Sequence, residues 1–202
     1  PDFVTNGAIG PRGCGYVIGE RMTENEAERY HRPQVEAFAA AGADQITAVT
    51  MTYSAEATGI ARAAGRAGVP VVIGFTTETD GRLPSGEELG WAIESVDAVA
   101  PVAPVSYMIN CAHPSHFEPA LTPGATWLER IGVLRANASR MSHAELDEAP
   151  ELDRGDAQEL ADRAGLESGP ARQRHRPEGA GRVRGLAKGV AGDLEHGDEH
   201  ID

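Results

Sequence analysis

Val69-Pro-Val-Val-Ile-Gly-Phe75 is apolar at almost every position and too short to be a helix of ordinary length. Such a run, bounded by glycine and polar residues, predicts a strand buried on both faces, which is the habit of parallel sheets. Four further stretches predict strands: Phe3–Gly10, Asp44–Thr50, Val102–Cys111 and a segment around Ile131–Leu134. Between them the apolar period changes to that of a helix. Glu24–Ala41 carries Ala27, Tyr30, Val35, Phe38 and Ala39 on one side, with Pro33 expected to kink or divide it. Gly42 is placed to close it. Ser54–Gly68 follows, with Ser54 as the expected N-cap. A third helix is expected from Ser85 to Val96, with Ser85 and Glu88 as a capping box. His116–Leu121 predicts a short helix, and Ser142–Gly165 a longer acidic one interrupted near Pro150.

Strand and helix alternating through short connections predict parallel βαβ units and an α/β fold. A doubly wound sheet is one arrangement, although no G-x-G-x-x-G follows any strand. The other is a (β/α)8 barrel, which needs eight strands and typically about 250 residues. Five strands in 202 residues then mean a partial barrel. This unit is expected to occupy residues 1–163. The remainder, 164–202, is rich in Gly, Arg, Ala and Pro, lacks aromatic residues and has no sustained apolar period. It predicts a disordered tail, or text read out of frame from a GC-rich gene.

Hydrophobic residues make up 41% of the chain and aromatics 5%, so the core is expected to be mainly Val, Ile, Leu and Ala. A net charge of -13 speaks against a nucleic-acid-binding surface. No apolar run approaches a membrane span, and the opening residues carry no signal-peptide core. Two cysteines, Cys14 and Cys111, make no disulfide framework, and a reducing cytoplasm is the expected location.

Cys111 directly follows an apolar strand, and the C-terminal ends of parallel strands are where sites are built. A thiolate there suits metal binding or nucleophilic attack; a small buried hydrophobe is the plainer alternative. Asn110, His113 and His116 flank it, and Cys-x-His-x-x-His has the look of a metal set. Thr77-Glu78-Thr79-Asp80-Gly81-Arg82 follows the third strand, and its carboxylates can hold an amino group or serve only as a solvated turn. The glycine-rich Gly10–Tyr16 turn can approach a ligand through its backbone. Asn137-Ala138-Ser139 matches a glycosylation acceptor, discounted without an export signal. His143 and the acids from Glu145 to Asp156 read as a solvated helix face.

These residues together resemble the homocysteine S-methyltransferase family, zinc-dependent barrel enzymes that include the betaine–homocysteine type. The resemblance runs through Asn6–Tyr16, Tyr30–Gln34, Ala41–Asp44, Gly74–Gly86, Ile109–Pro114 and Arg135–Asp147. Its most specific parts are Asn110-Cys111 and the Glu-Thr-Asp-Gly-Arg-Leu loop. It implies strands three to seven of such a barrel and methyl transfer to the thiol of homocysteine, a step of methionine biosynthesis. It implies homocysteine and a sulfonium or ammonium methyl donor as partners, with no nucleic acid and no membrane. Zinc is the implied cofactor, with Cys111 the first of three thiolate ligands and Glu78 and Asn110 at the substrate. The adjacent cysteine pair of the family's Gly-Gly-Cys-Cys element is absent, and Cys14 matches neither missing ligand. The expectation is therefore an impaired or inactive methyltransferase chain, the alternative being a non-catalytic remnant or binding module on a barrel-like fold. An unrelated barrel hydrolase or aldolase finds no Lys or Ser nucleophile pattern to support it.

Overall fold

The structure is a computed structural model that describes residues 3–163. The expected tail from 164 onward lies outside the described residues. Five strands form one parallel sheet in the order β1-β2-β3-β4-β5: Asn6–Ile9, Gln45–Met51, Val71–Phe75, Ser106–Asn110 and Ile131–Arg135. Sequential order without reversal is the barrel pattern and not the doubly wound one. The helices pack against one another in turn, α1 (Glu24–Ala40) on α2 (Ser54–Ala67) and α2 on α3 (Leu89–Val99). The fold is thus part of a (β/α)8-type barrel.

Alternation within the strands decides the faces. Gly7 and Ile9 of β1 are buried toward the helices, while Asn6 and Ala8 on the opposite face are exposed. Ile9, Ile46, Ile73, Phe75 and Ile109 line the core with Ile60, Leu89, Ile93 and Val96 from the helices. Gly7 is required by packing: a Cβ there would lie 2.6 Å from the Phe38 ring. Tyr107 is the largest fully buried side chain among the described residues, and its hydroxyl donates to Asp97 at 2.8 Å. Burial raises that hydroxyl's pKa, with the Asp97 contact acting in the same direction.

Several helix boundaries differ from expectation. Pro33 lies inside α1, which nonetheless runs unbroken. Thr23 caps it, with Glu26 completing a capping box that the sequence displays. Ser54 is the first residue of α2 and not its cap; the Ser54 N–H donates to the Glu87 side chain at 2.8 Å, so a distant loop supplies the missing acceptor. Ser85 and Glu88 form no capping box. Helix α3 starts at Leu89, and Glu88 instead pairs with Arg82 at 2.8 Å. Two short helices replace the acidic one expected near the end: α5 (His143–Glu148), capped by Ser142 and Glu145, and α6 (Ala157–Arg163). A single turn at Pro114–Phe117 (α4) and a 3-10 turn at Glu118–Ala120 stand where the His116–Leu121 helix was expected.

The register slips twice. Ala48 pairs with Ile73 and Met51 with Phe75, leaving an extra residue on β2. Tyr107 pairs with Ile131 but Met108 with Val133. The first bulge sits at the strands' C-terminal rim, where bulges re-aim side chains. No helix among the described residues is long and apolar enough to cross a membrane.

Candidate functional site

Parallel strands bring Thr50, Thr76, Asn110 and Arg135 to the same rim. Two non-glycine residues in the described chain have left-handed backbones, and both stand there: Thr50 at φ 59° and Cys111 at φ 56°. A β-branched residue in that region is a true outlier. Such strain persists where surrounding bonds hold it, and it concentrates at functional sites.

Asn110 ties the two together. It is fully buried; its Oδ1 accepts from the Thr50 N–H at 3.0 Å, and its Nδ2 donates to Thr50 Oγ1 at 2.8 Å and to Cys111 Sγ at 3.1 Å. Thr50 Oγ1 also lies 3.7 Å from that sulfur. Cys111 itself is half-buried. Its N–H donates to the Arg135 carbonyl at 3.1 Å, and its carbonyl accepts from Thr76 Oγ1 at 3.4 Å and from His143 Nε2 at 2.7 Å. Every polar atom of the residue is therefore engaged.

His143 belongs to this site and not to a solvated face. It is 6% exposed, and its Nδ1 lies 2.9 Å from Glu78 Oε1. Both ring nitrogens face acceptors, and a neutral imidazole donates from one nitrogen only. The His143–Glu78 pair thus stands directly behind Cys111. The Tyr16 ring stacks on His143 at 4.0 Å. Burial, then the charge of Cys111 and a hydrogen bond to it, pushes the Tyr16 hydroxyl up to about 12. It stays protonated at neutral pH. Beyond Tyr16 and His143 opens a cavity of about 240 Å³, lined also by Leu146, Asp147, Glu151, Leu152 and Asp153.

The three residues expected at the site are brought together. Cys111 and Asn110 are adjacent at the strand end, and Glu78 reaches the same cluster through His143 with 30% of its side chain exposed. His113 and His116 do not join them. His113 caps α4, its Nδ1 accepting from the Ser115 N–H at 3.2 Å, and burial lowers its pKa. His116 is bonded through Nε2 to the Arg140 carbonyl at 2.9 Å. The two rings meet edge to face at 5.9 Å, but among the described residues they make no metal-holding group with Cys111. Tyr16 and His143 were not found by sequence reasoning. The Ser142-x-x-Glu145 capping box was an available signal, because it fixes His143 as the first residue of a helix.

The model of the homocysteine S-methyltransferase family matches residues 2–168. The chain belongs to that family. Among solved structures it is similar to homocysteine methyltransferase MmuM of Escherichia coli. The apo form superposes with a TM-score of 0.52 and 22% identity, over 71% of this chain and 60% of that one. The metallated form gives 0.55 and 22%, over 72% and 51%. This likeness bears on the fold alone, and the chain spans between half and three-fifths of the length of those proteins. No curated protein sequence matches the chain.

The donor set does not fit the family's zinc. Among the described residues no group of three or more His, Cys, Asp or Glu side chains is placed to hold a metal ion. Cys111 is a single thiol, Cys14 is exposed on the glycine-rich loop, and both nitrogens of His143 are occupied.

Proposed function

We propose that this chain serves methyl transfer to the thiol of homocysteine, giving methionine. The observation that carries this reading is the family match over residues 2–168, with Cys111 presented at the strand end by Asn110 and Thr50. In the reaction the substrate sulfur attacks the donor's methyl carbon. The new S–CH3 bond forms as the donor's C–S or C–N bond breaks, and the thiol proton is released. Glu78, part-exposed at the rim, is suited to pair with the amino group of homocysteine, leaving one oxygen on His143. Asn110 is proposed to serve the substrate indirectly, by fixing the thiol of Cys111. Cys111 stands where the family's first zinc ligand is expected. The described residues supply no second or third ligand, so no step is drawn through the metal. Two unpaired cysteines agree with a cytoplasmic setting.

The test is methionine formation from homocysteine and S-methylmethionine, with and without added zinc, followed by mass spectrometry. Turnover that disappears in Cys111→Ser is expected. A folded protein that yields no methionine under either condition overturns the reading. The incomplete donor set favours one alternative, a binding module. It would show as a rise in melting temperature with homocysteine and no turnover.

A further inference from the structure

Glu56 lies in the first turn of α2 and is fully buried. Its Oε1 accepts from the Arg12 N–H at 2.7 Å and lies 2.9 Å from His31 Nε2 on α1. Its Oε2 has no hydrogen-bond partner among the described residues. A carboxylate taken from water is costly unless its contacts compensate. No step of methyl transfer uses it, and a hydrophobic residue would fill this helix interface more cheaply.

What Glu56 holds is the glycine-rich loop. The Arg12 N–H is the loop's part-buried anchor; the Arg12 guanidinium adds an exposed contact to the Glu20 carbonyl at 2.7 Å and lies 5.9 Å from the Tyr30 ring. Gly13 has no neighbour within 4 Å of a Cβ, and Cys14 is exposed. Gly15 then passes so close to Thr50 that a Cβ would lie 2.8 Å from Thr50 Cγ2. The next residue is Tyr16, stacked on His143, whose Nε2 donates to the Cys111 carbonyl at 2.7 Å. Three residues therefore separate the carboxylate's anchor at Arg12 from the Tyr16 ring on His143.

We propose that Glu56, braced by His31, is a positioning residue that pins the Arg12 backbone and thereby sets Tyr16 on His143, beside Cys111. This rests on reading Cys111 as the reacting centre. Its test is made independent of turnover by following the thiol itself.

The rates at which iodoacetamide labels Cys111 and Cys14 are measured separately by peptide mass spectrometry, Cys14 serving as the exposed reference. Arg12→Pro deletes the N–H, whereas Arg12→Ala keeps it and removes only the guanidinium. Cys111 in Arg12→Pro is expected to label about fivefold faster, the order set by one backbone hydrogen bond. Arg12→Ala is expected to match the parent, and Cys14 to be unchanged throughout. Glu56→Gln keeps an acceptor and is expected to protect Cys111 where Glu56→Ala does not. Arg12→Pro combined with Tyr16→Ala is expected to label no faster than Tyr16→Ala alone, because the carboxylate acts only through that ring. The proposal is overturned by an unchanged Cys111 rate in folded Arg12→Pro, by additive effects in the double variant, or by Cys14 accelerating in parallel. Absence of methionine formation with these rates as expected would sink the enzymatic reading and leave this one standing.

Discussion

Gly74 is the residue on which the site's geometry turns. A Cβ there would lie 2.5 Å from Asn110 Oδ1, 2.6 Å from Met108 Cε and 3.1 Å from the Ala48 carbonyl. The methionine can move; the asparagine is fixed by Thr50 and the carbonyl by the sheet. Gly74→Ala is therefore expected to cost about 1–3 kcal/mol in urea unfolding, and to free Cys111 from Asn110. A stability equal to the parent's would show that Asn110 is not held as described. The same residues show what sequence makes legible. Asn110 and Cys111 could be found because an apolar run ends on them, and a parallel strand end is a place where chemistry gathers. His143 could not be found that way. It reaches Cys111 across 32 positions, from a helix whose neighbours are acidic and exposed. Its role depends on contacts through space, and no local pattern carries those.

At the scale of elements, the strands were legible and the helix starts were not. Apolar runs of strand length appear directly in the sequence. A cap depends on which acceptor reaches the N–H groups, and at α2 that acceptor is Glu87, from the loop after the next strand. Pro33 was a poor guide for a related reason: packing of α1 on α2 holds the helix through it. Gly59 lets the two helices approach, since a Cβ there would lie 2.5 Å from the Ala27 Cβ. Helix α6 depends more on charge. Glu159 is bound by Arg140 and by Arg163, which also reaches Glu118 at 2.6 Å. Hydrogen bonds from Arg140, then from Arg163, lower the Glu159 carboxyl from 4.5 to about 2. A depressed folded value means that the contribution is complete above the unfolded value and is lost as pH falls through about 2. An NMR titration of the Glu159 side chain is expected to find its midpoint near 2, returning toward 4.5 in Arg140→Ala. A midpoint near 4.5 in the parent would mean that the clamp does not form in solution.

For the whole molecule, five strands and their parallel sense followed from composition and period. Their spatial order did not, because a local pattern cannot say on which side of its neighbour a strand lies. The sequential order settles it in favour of the barrel. It also leaves β1 and β5 each paired on one side among the described residues, with Leu134 half-exposed near one edge. Against that frame, the left-handed backbone of Cys111 sets function against stability. Cys111→Gly relaxes the backbone, whereas Cys111→Ala keeps the Cβ and its clash. Both lack sulfur, yet the glycine variant is expected to be more stable than the alanine one by about 1 kcal/mol in urea unfolding. Equal stabilities would show that φ 56° carries no penalty at this position. If the difference holds, selection for stability alone would drive this position to glycine. A thiol retained there in this chain marks a position where the fold gives up stability to keep a reactive group.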